Sequence, residues 1–121
     1  MDGFGGYNMI FVTGPLFAGK EAYICGRLGW THGEFKERGV RDVQELAGKA
    51  ADPDELRQLA DTLAAKEVVI ATEVGGGVVP TDARQRYERE MAGRLACLLA
   101  ERADTVIRVC CGLPVCLKGA L

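Results

Sequence analysis

An α/β fold, with a mostly parallel sheet flanked by helices, is predicted by two features of the sequence. Residues 7–13, 68–72 and 105–111 are short apolar stretches rich in β-branched side chains, as expected of strands covered on both faces. Between them lie longer segments whose apolar residues recur at three- and four-residue steps, as in amphipathic helices. Strand, helices, strand, helix, strand is the order of a layered domain whose parallel strands are joined by crossovers. At 121 residues the chain has room for one domain and one core. There are no internal repeats and no linker, so residues 1–121 are read as a single domain.

The glycine-rich opening, residues 1–7, is expected to be a flexible lead-in. The first strand, ending at Thr13, is cut off by Gly14 and Pro15. A helix follows over residues 21–28 and stops at Gly29. Residues 29–39 are polar and dotted with glycine, and are expected to be irregular. Residues 40–47 look like a short amphipathic helix stopped by Gly48. Asp52, Pro53, Asp54 and Glu55 make a strong helix start: a cap, proline at the first position and acids in the first turn. Leu56, Leu59, Ala60 and Leu63 form the apolar face of that helix. The second strand runs to Thr72 and leads through Glu73 into a triple-glycine turn. Thr81 and Asp82 can cap the longest helix, residues 82–102, whose Ala83, Tyr87, Met91, Leu95, Leu98 and Leu99 share one face. After the third strand, residues 112–114 form a turn and residues 115–118 a short edge strand.

Composition narrows the function. The formal charge of −2 and a pI near 5.4 leave no basic footprint for nucleic acid. An anionic ligand must therefore be held by local geometry. No secretory signal is visible, and the apolar runs fall far short of the roughly 18 to 20 residues that span a bilayer. A cytoplasmic protein without a membrane partner is expected. The five cysteines are odd in number, and the spacing of Cys110, Cys111 and Cys116 is not a zinc pattern. They are expected to be reduced, buried small hydrophobes.

Residues 14–21, GPLFAGKE, follow G-x-x-x-x-G-K directly after a buried strand and before a helix. That is where a phosphate-binding P-loop belongs. Gly14 and Gly19 let the backbone wrap a phosphate, helix N-terminal N–H groups point at it, and Lys20 neutralises its oxygens. The next position ordinarily holds Ser or Thr, whose hydroxyl ligates Mg²⁺. Here it is Glu21, a carboxylate that can hold a metal but also repels phosphates. A tight strand-to-helix turn without tight nucleotide binding is the competing reading of the loop.

A second stretch carries a more distinctive pattern. It begins with IATEVGGGVVP at residues 70–80 and continues through Arg86, Arg89, Glu90, Gly93 and Arg94. It then runs through ADTV at 103–106 and GLP at 112–114 to Lys118. Together with the loop, this resembles the bifunctional adenosylcobinamide kinase/adenosylcobinamide-phosphate guanylyltransferase family. The resemblance implies a RecA-like P-loop fold, reduced in size. It implies a kinase that uses GTP or ATP with Mg²⁺ to phosphorylate the aminopropanol hydroxyl of adenosylcobinamide. A homo-oligomer is also implied. Lys20 and Glu73 would then be catalytic, and Gly14, Gly19, Lys20, Glu21, Gly75 and Gly77 would bind the nucleotide. Arg86 and Arg89 match family arginines, although solvated helix charges read equally well. The family also transfers GMP through a guanylylated histidine. His32, the sole histidine, lies outside that motif and is read as a surface or structural residue. Thr72 and Ala96 stand where the family has asparagines. The metal-holding acid of the second nucleotide motif has Asp42 as its nearest candidate by order. A short-form cobinamide kinase is the leading expectation. A catalytically impaired nucleotide- or partner-binding relative is the alternative, and a ligand-free oligomerisation domain is the third.

Overall fold

The computed structural model describes residues 8–74 and 82–121, so the expected lead-in lies outside the described residues. The predicted α/β architecture is present. Strands β1 (Ile10–Gly14), β2 (Gly39–Val40), β3 (Val68–Thr72), β4 (Thr105–Cys110) and β5 (Leu113–Lys118) form one sheet in the order β2-β3-β1-β4-β5. The first four are parallel and β5 is antiparallel to β4. Helices α1 (Lys20–Leu28) and α2 (His32–Arg38) lie on one face. Helices α3 (Gln44–Ala47), α4 (Pro53–Leu63) and α5 (Ala83–Arg102) lie on the other.

The apolar runs decide this layering. In β1, Phe11 packs with α3, α4 and α5, while Val12 packs with Ile24 of α1 and Phe35 of α2. Successive side chains of a strand point to opposite faces, so a continuous apolar run serves two cores at once. Asp52 caps α4 by accepting from the Glu55 N–H at 2.9 Å, and Pro53 opens the helix as predicted. Asp82 caps α5 through the Arg84 N–H at 2.7 Å. On α5, Met91, Leu95 and Leu99 are buried as expected, whereas Ala83 is exposed beyond the edge of the core.

Residues 29–39 are not irregular. Thr31 accepts from the Glu34 N–H at 3.1 Å, and the Glu34 carboxylate accepts from the Thr31 N–H at 2.9 Å. This reciprocal capping box starts α2. Phe35 is then buried, and Arg38 lies 4.4 Å over the Trp30 ring while gripping Glu67 at 2.6 and 2.7 Å. Burial of one such ring is worth about 1.5–3 kcal/mol, enough to hold seven residues that polarity alone marks as loop.

Residues 40–47 also differ from a single helix. The chain first adds β2 beside β3, turns at Asp42 (φ 56°) and only then forms α3. The Gln44 side chain accepts from the Thr72 N–H at 2.9 Å, which ties α3 to the end of β3. At the other edge, the turn consists of Cys111 and Gly112, both at positive φ, as a two-residue hairpin requires. Leu113 and Pro114 therefore belong to β5, where an edge strand tolerates proline. The sheet thus has five strands: the three apolar stretches, the expected edge strand and β2, which the sequence reading did not contain. The expectation of buried cysteines also fails in part. All five are free, but Cys97, Cys111 and Cys116 are exposed and Cys25 and Cys110 half-buried, because the helix surface, the turn and the edge strand that carry them lack a covering layer.

Candidate functional site

The topology itself creates a crevice. The chain leaves β1 for the α1–α2 face but leaves β3 for the face occupied by α5. Adjacent parallel strands whose connections depart to opposite faces open a cleft at their carboxyl ends, where α/β proteins bind ligands. Gly14 ends β1 there and Glu73 follows β3, with the Glu73 N–H donating to the Gly14 carbonyl at 2.8 Å.

The loop between β1 and α1 turns on left-handed backbone. Gly19 has φ +83° and precedes Lys20, the first residue of α1. Lys20 is only 8% exposed, and its Nζ donates to the Pro15 carbonyl at 2.7 Å. Burial pushes the lysine pKa down, while the charges of Asp42 and Glu73 act in the opposite direction. Three sequence-distant elements thus bring one buried ammonium and two carboxylates together: the β1–α1 loop, the β2–α3 turn and the end of β3.

Glu73 has a partner that sequence reading missed. Arg108 on β4 donates Nε and a terminal nitrogen to the two Glu73 oxygens at 2.6 and 2.8 Å, a bidentate clamp. Hydrogen bonding to Arg108 first, and then the charges of Arg108 and Lys20, hold the Glu73 carboxyl below its ordinary range. The signal for Arg108 was present: it is the single charge inside the buried strand Thr105–Cys110. Because the folded-state pKa of Glu73 is lowered, its contribution to stability exists above the unfolded value and is lost as pH falls through the folded one. Glu73→Gln is therefore expected to flatten the acid limb of the stability profile. Denaturant titrations from pH 7 down to pH 3 check this; an unchanged difference between wild type and variant across that range would sink the assignment.

Glu21 lies apart from this group. Its carboxylate accepts from Arg41 at 3.0 Å and stands 3.6 Å from Nδ1 of His32. With Ala22 and Cys25 these residues line a shallow depression of about 360 Å³. Of the residues predicted to bind nucleotide, Gly14, Gly19 and Lys20 are brought together on the loop. Gly75 and Gly77 lie outside the described residues. Among the described residues, no group of three or more His, Cys, Asp or Glu side chains forms a metal site. The carboxylates whose charges reach Lys20 are Asp42 and Glu73, and both oxygens of Glu73 are engaged by Arg108. Among the described residues, no helix is long and apolar enough to cross a membrane.

A search of the curated proteins returns no match. The family comparison is positive: residues 32–117 match the cobinamide kinase / cobinamide phosphate guanyltransferase family. The matched span holds Asp42, Glu73 and Arg108, and the loop with Lys20 stands just ahead of it. A match over well over half of the 121 residues, on a five-stranded and mostly parallel P-loop-type sheet, places this chain in the cobinamide kinase / cobinamide phosphate guanyltransferase family.

Proposed function

We propose that the chain is a nucleotide-dependent cobinamide kinase, using GTP or ATP with Mg²⁺ to phosphorylate the aminopropanol hydroxyl of adenosylcobinamide. Membership of the family supports a cobinamide kinase/guanyltransferase-like role in cobalamin biosynthesis. The observation that carries the kinase reading is Lys20, a buried cation bonded to its own loop at the crevice of the sheet and within the field of two carboxylates. A lysine is seldom buried without a strong partner, and phosphate is the partner this loop sequence suits.

In this reading, Gly14, Gly19 and the backbone of the loop surround the phosphates, and Lys20 moves from Pro15 to the β/γ oxygens. Magnesium bound with the nucleotide would supply positive charge to offset the charge that develops on transfer. Asp42 and Glu73 are the residues that would hold it, with Arg108 fixing the Glu73 carboxylate. The lowered pKa of Glu73 suits holding a metal better than accepting a proton. Gly75 and Gly77 would let backbone approach the nucleotide. The acceptor oxygen bonds to the γ-phosphorus as the bridging P–O bond breaks, leaving a nucleoside diphosphate, and the hydroxyl proton is released to water. The reading includes a homo-oligomer, because β5 exposes Leu113, Val115 and Leu117, which a second subunit would cover. Light scattering on the purified chain decides that point. Isothermal titration with GTP or ATP plus Mg²⁺, followed by a phosphorylation assay on adenosylcobinamide, tests the whole. No binding at millimolar nucleotide would end the kinase reading.

Glu21 favours the second reading, a binding relative with impaired catalysis. Its pairing with Arg41 turns that argument, because the guanidinium offsets the charge that would repel phosphates. Glu21→Ser supplies a hydroxyl for Mg²⁺ and removes a carboxylate beside the loop. It is expected to tighten nucleotide binding by roughly 3- to 10-fold, about 1 kcal/mol. Loss of an existing activity in that variant would instead put the Glu21 carboxylate in the chemistry.

A further inference from the structure

Phosphate binding accounts for the root of the β1–α1 loop but not for its tip. Phe17 is 94% exposed and Leu16 64% exposed. Phe17 also adopts φ 59°, in the left-handed region that bulky side chains avoid. A phenyl ring is among the largest apolar groups a chain can bury, and here it is left in solvent. Strained backbone of this kind clusters at ligand sites, where the surrounding structure holds it in place. The loop is also tethered: the Gly112 N–H of the β4–β5 turn donates to the Ala18 carbonyl at 2.8 Å. Leu113, next to that turn, is 69% exposed. Within a few residues the loop passes from an exposed apolar tip to the buried Lys20 ammonium.

We propose that Phe17, with Leu16, is the apolar platform on which the phosphoryl acceptor rests, and so a specificity-determining residue for a corrinoid substrate. The inference rests on the kinase reading given above. A P-loop lysine reaches the β and γ phosphates. The acceptor oxygen must come within about 3–3.5 Å of the γ-phosphorus. A substrate as broad as a corrin macrocycle that satisfies this distance extends well past the phosphates and over the neighbouring loop. A triphosphate is anionic and hydrated, and has no use for an exposed phenyl ring. A corrin macrocycle carries methyl groups between its amide side chains, apolar surface against which a phenyl ring can pack. Burying the ring against such a surface removes it from water only when the acceptor is present.

The test uses the full chain as wild type, Phe17→Ala, Phe17→Gly and Phe17→Trp. Isothermal titration measures adenosylcobinamide and MgGTP separately, and thermal melting checks the fold. Glycine suits the positive φ, so Phe17→Gly removes the ring without lowering Tm. Both the alanine and the glycine variants are expected to weaken corrinoid binding by about 10-fold or more, and by a clearly larger factor than any loss in MgGTP affinity. Tryptophan is expected to restore corrinoid binding. Equal losses for corrinoid and nucleotide would place the ring on the nucleobase and overturn the proposal. Unchanged corrinoid affinity in both truncations, or no corrinoid binding by the wild type, would overturn it as well. Phe17-dependent corrinoid binding by a chain that transfers no phosphoryl group would uphold the platform and remove the kinase reading.

Discussion

Lys20→Ala is expected to lower phosphoryl transfer to adenosylcobinamide on the order of 100- to 1,000-fold while leaving the fold intact. The expectation follows from where the ammonium sits. It is buried at the carboxyl end of β1, bonded to a loop carbonyl, and feels the charges of Asp42 and Glu73. Phosphoryl transfer is largely positioning and charge stabilisation, so the loss of one preorganised cation falls on the transition state. Stability responds differently. Burial lowers the lysine pKa, so the folded state binds that proton less tightly than the unfolded chain and the charge opposes folding at neutral pH. Alanine removes that penalty along with the bond to Pro15. The melting temperature is therefore expected to stay close to wild type. Nucleotide titration and melting curves on the same preparations decide the matter. A variant that binds nucleotide as tightly as the parent would refute the role of Lys20.

Gly14→Ala should be the most damaging single-methyl change in the loop. A Cβ at Gly14 would lie 2.1 Å from the Val109 carbonyl oxygen, and the glycine has φ +153°. Val109 belongs to β4, which is hydrogen-bonded alongside β1, so neither strand can step aside without opening the ladder. Overpacking of this kind costs about 1–3 kcal/mol, and backbone strain adds about 1–3 kcal/mol. Against a total stability of about 5–15 kcal/mol for a domain, the variant should melt roughly 10–20 °C lower or fail to accumulate. Gly26→Ala is the matched control. It lies within α1 with nothing within 4 Å of the added methyl, and is expected to gain about 0.5–1 kcal/mol. If the two variants melt within a few degrees of each other, the close approach of β1 and β4 is wrong.

Much of the frame was legible because its signals are local. Asp52 and Pro53 start α4, Gly29 stops α1, and the apolar runs of β1, β3 and β4 announce a sheet covered on both faces. The elements that escaped are those whose stability comes from elsewhere. The seven residues of α2 lean on the burial of Phe35 and on Arg38 reaching across to Glu67, 29 positions away. The two residues of β2 are a strand only because β3 lies beside them. The Thr31–Glu34 capping box was a local signal that the surrounding polarity concealed.

The candidate site divides along the same line. By itself the sequence determined the strand, loop, lysine and helix in order, the Glu73-to-Lys118 pattern, and thereby the family. These depend on contiguous residues and their spacing. Only the tertiary structure decided which charges meet. Parallel register sets Thr13 opposite Arg108 and Gly14 opposite Thr72, so Arg108 and Glu73 converge across the end of β1. The β2–α3 turn brings Asp42 close enough for its charge to act on Lys20, and Arg41 draws Glu21 away. Charges 20 to 35 positions apart in the chain are paired by crossover connections and register, which no local periodicity encodes.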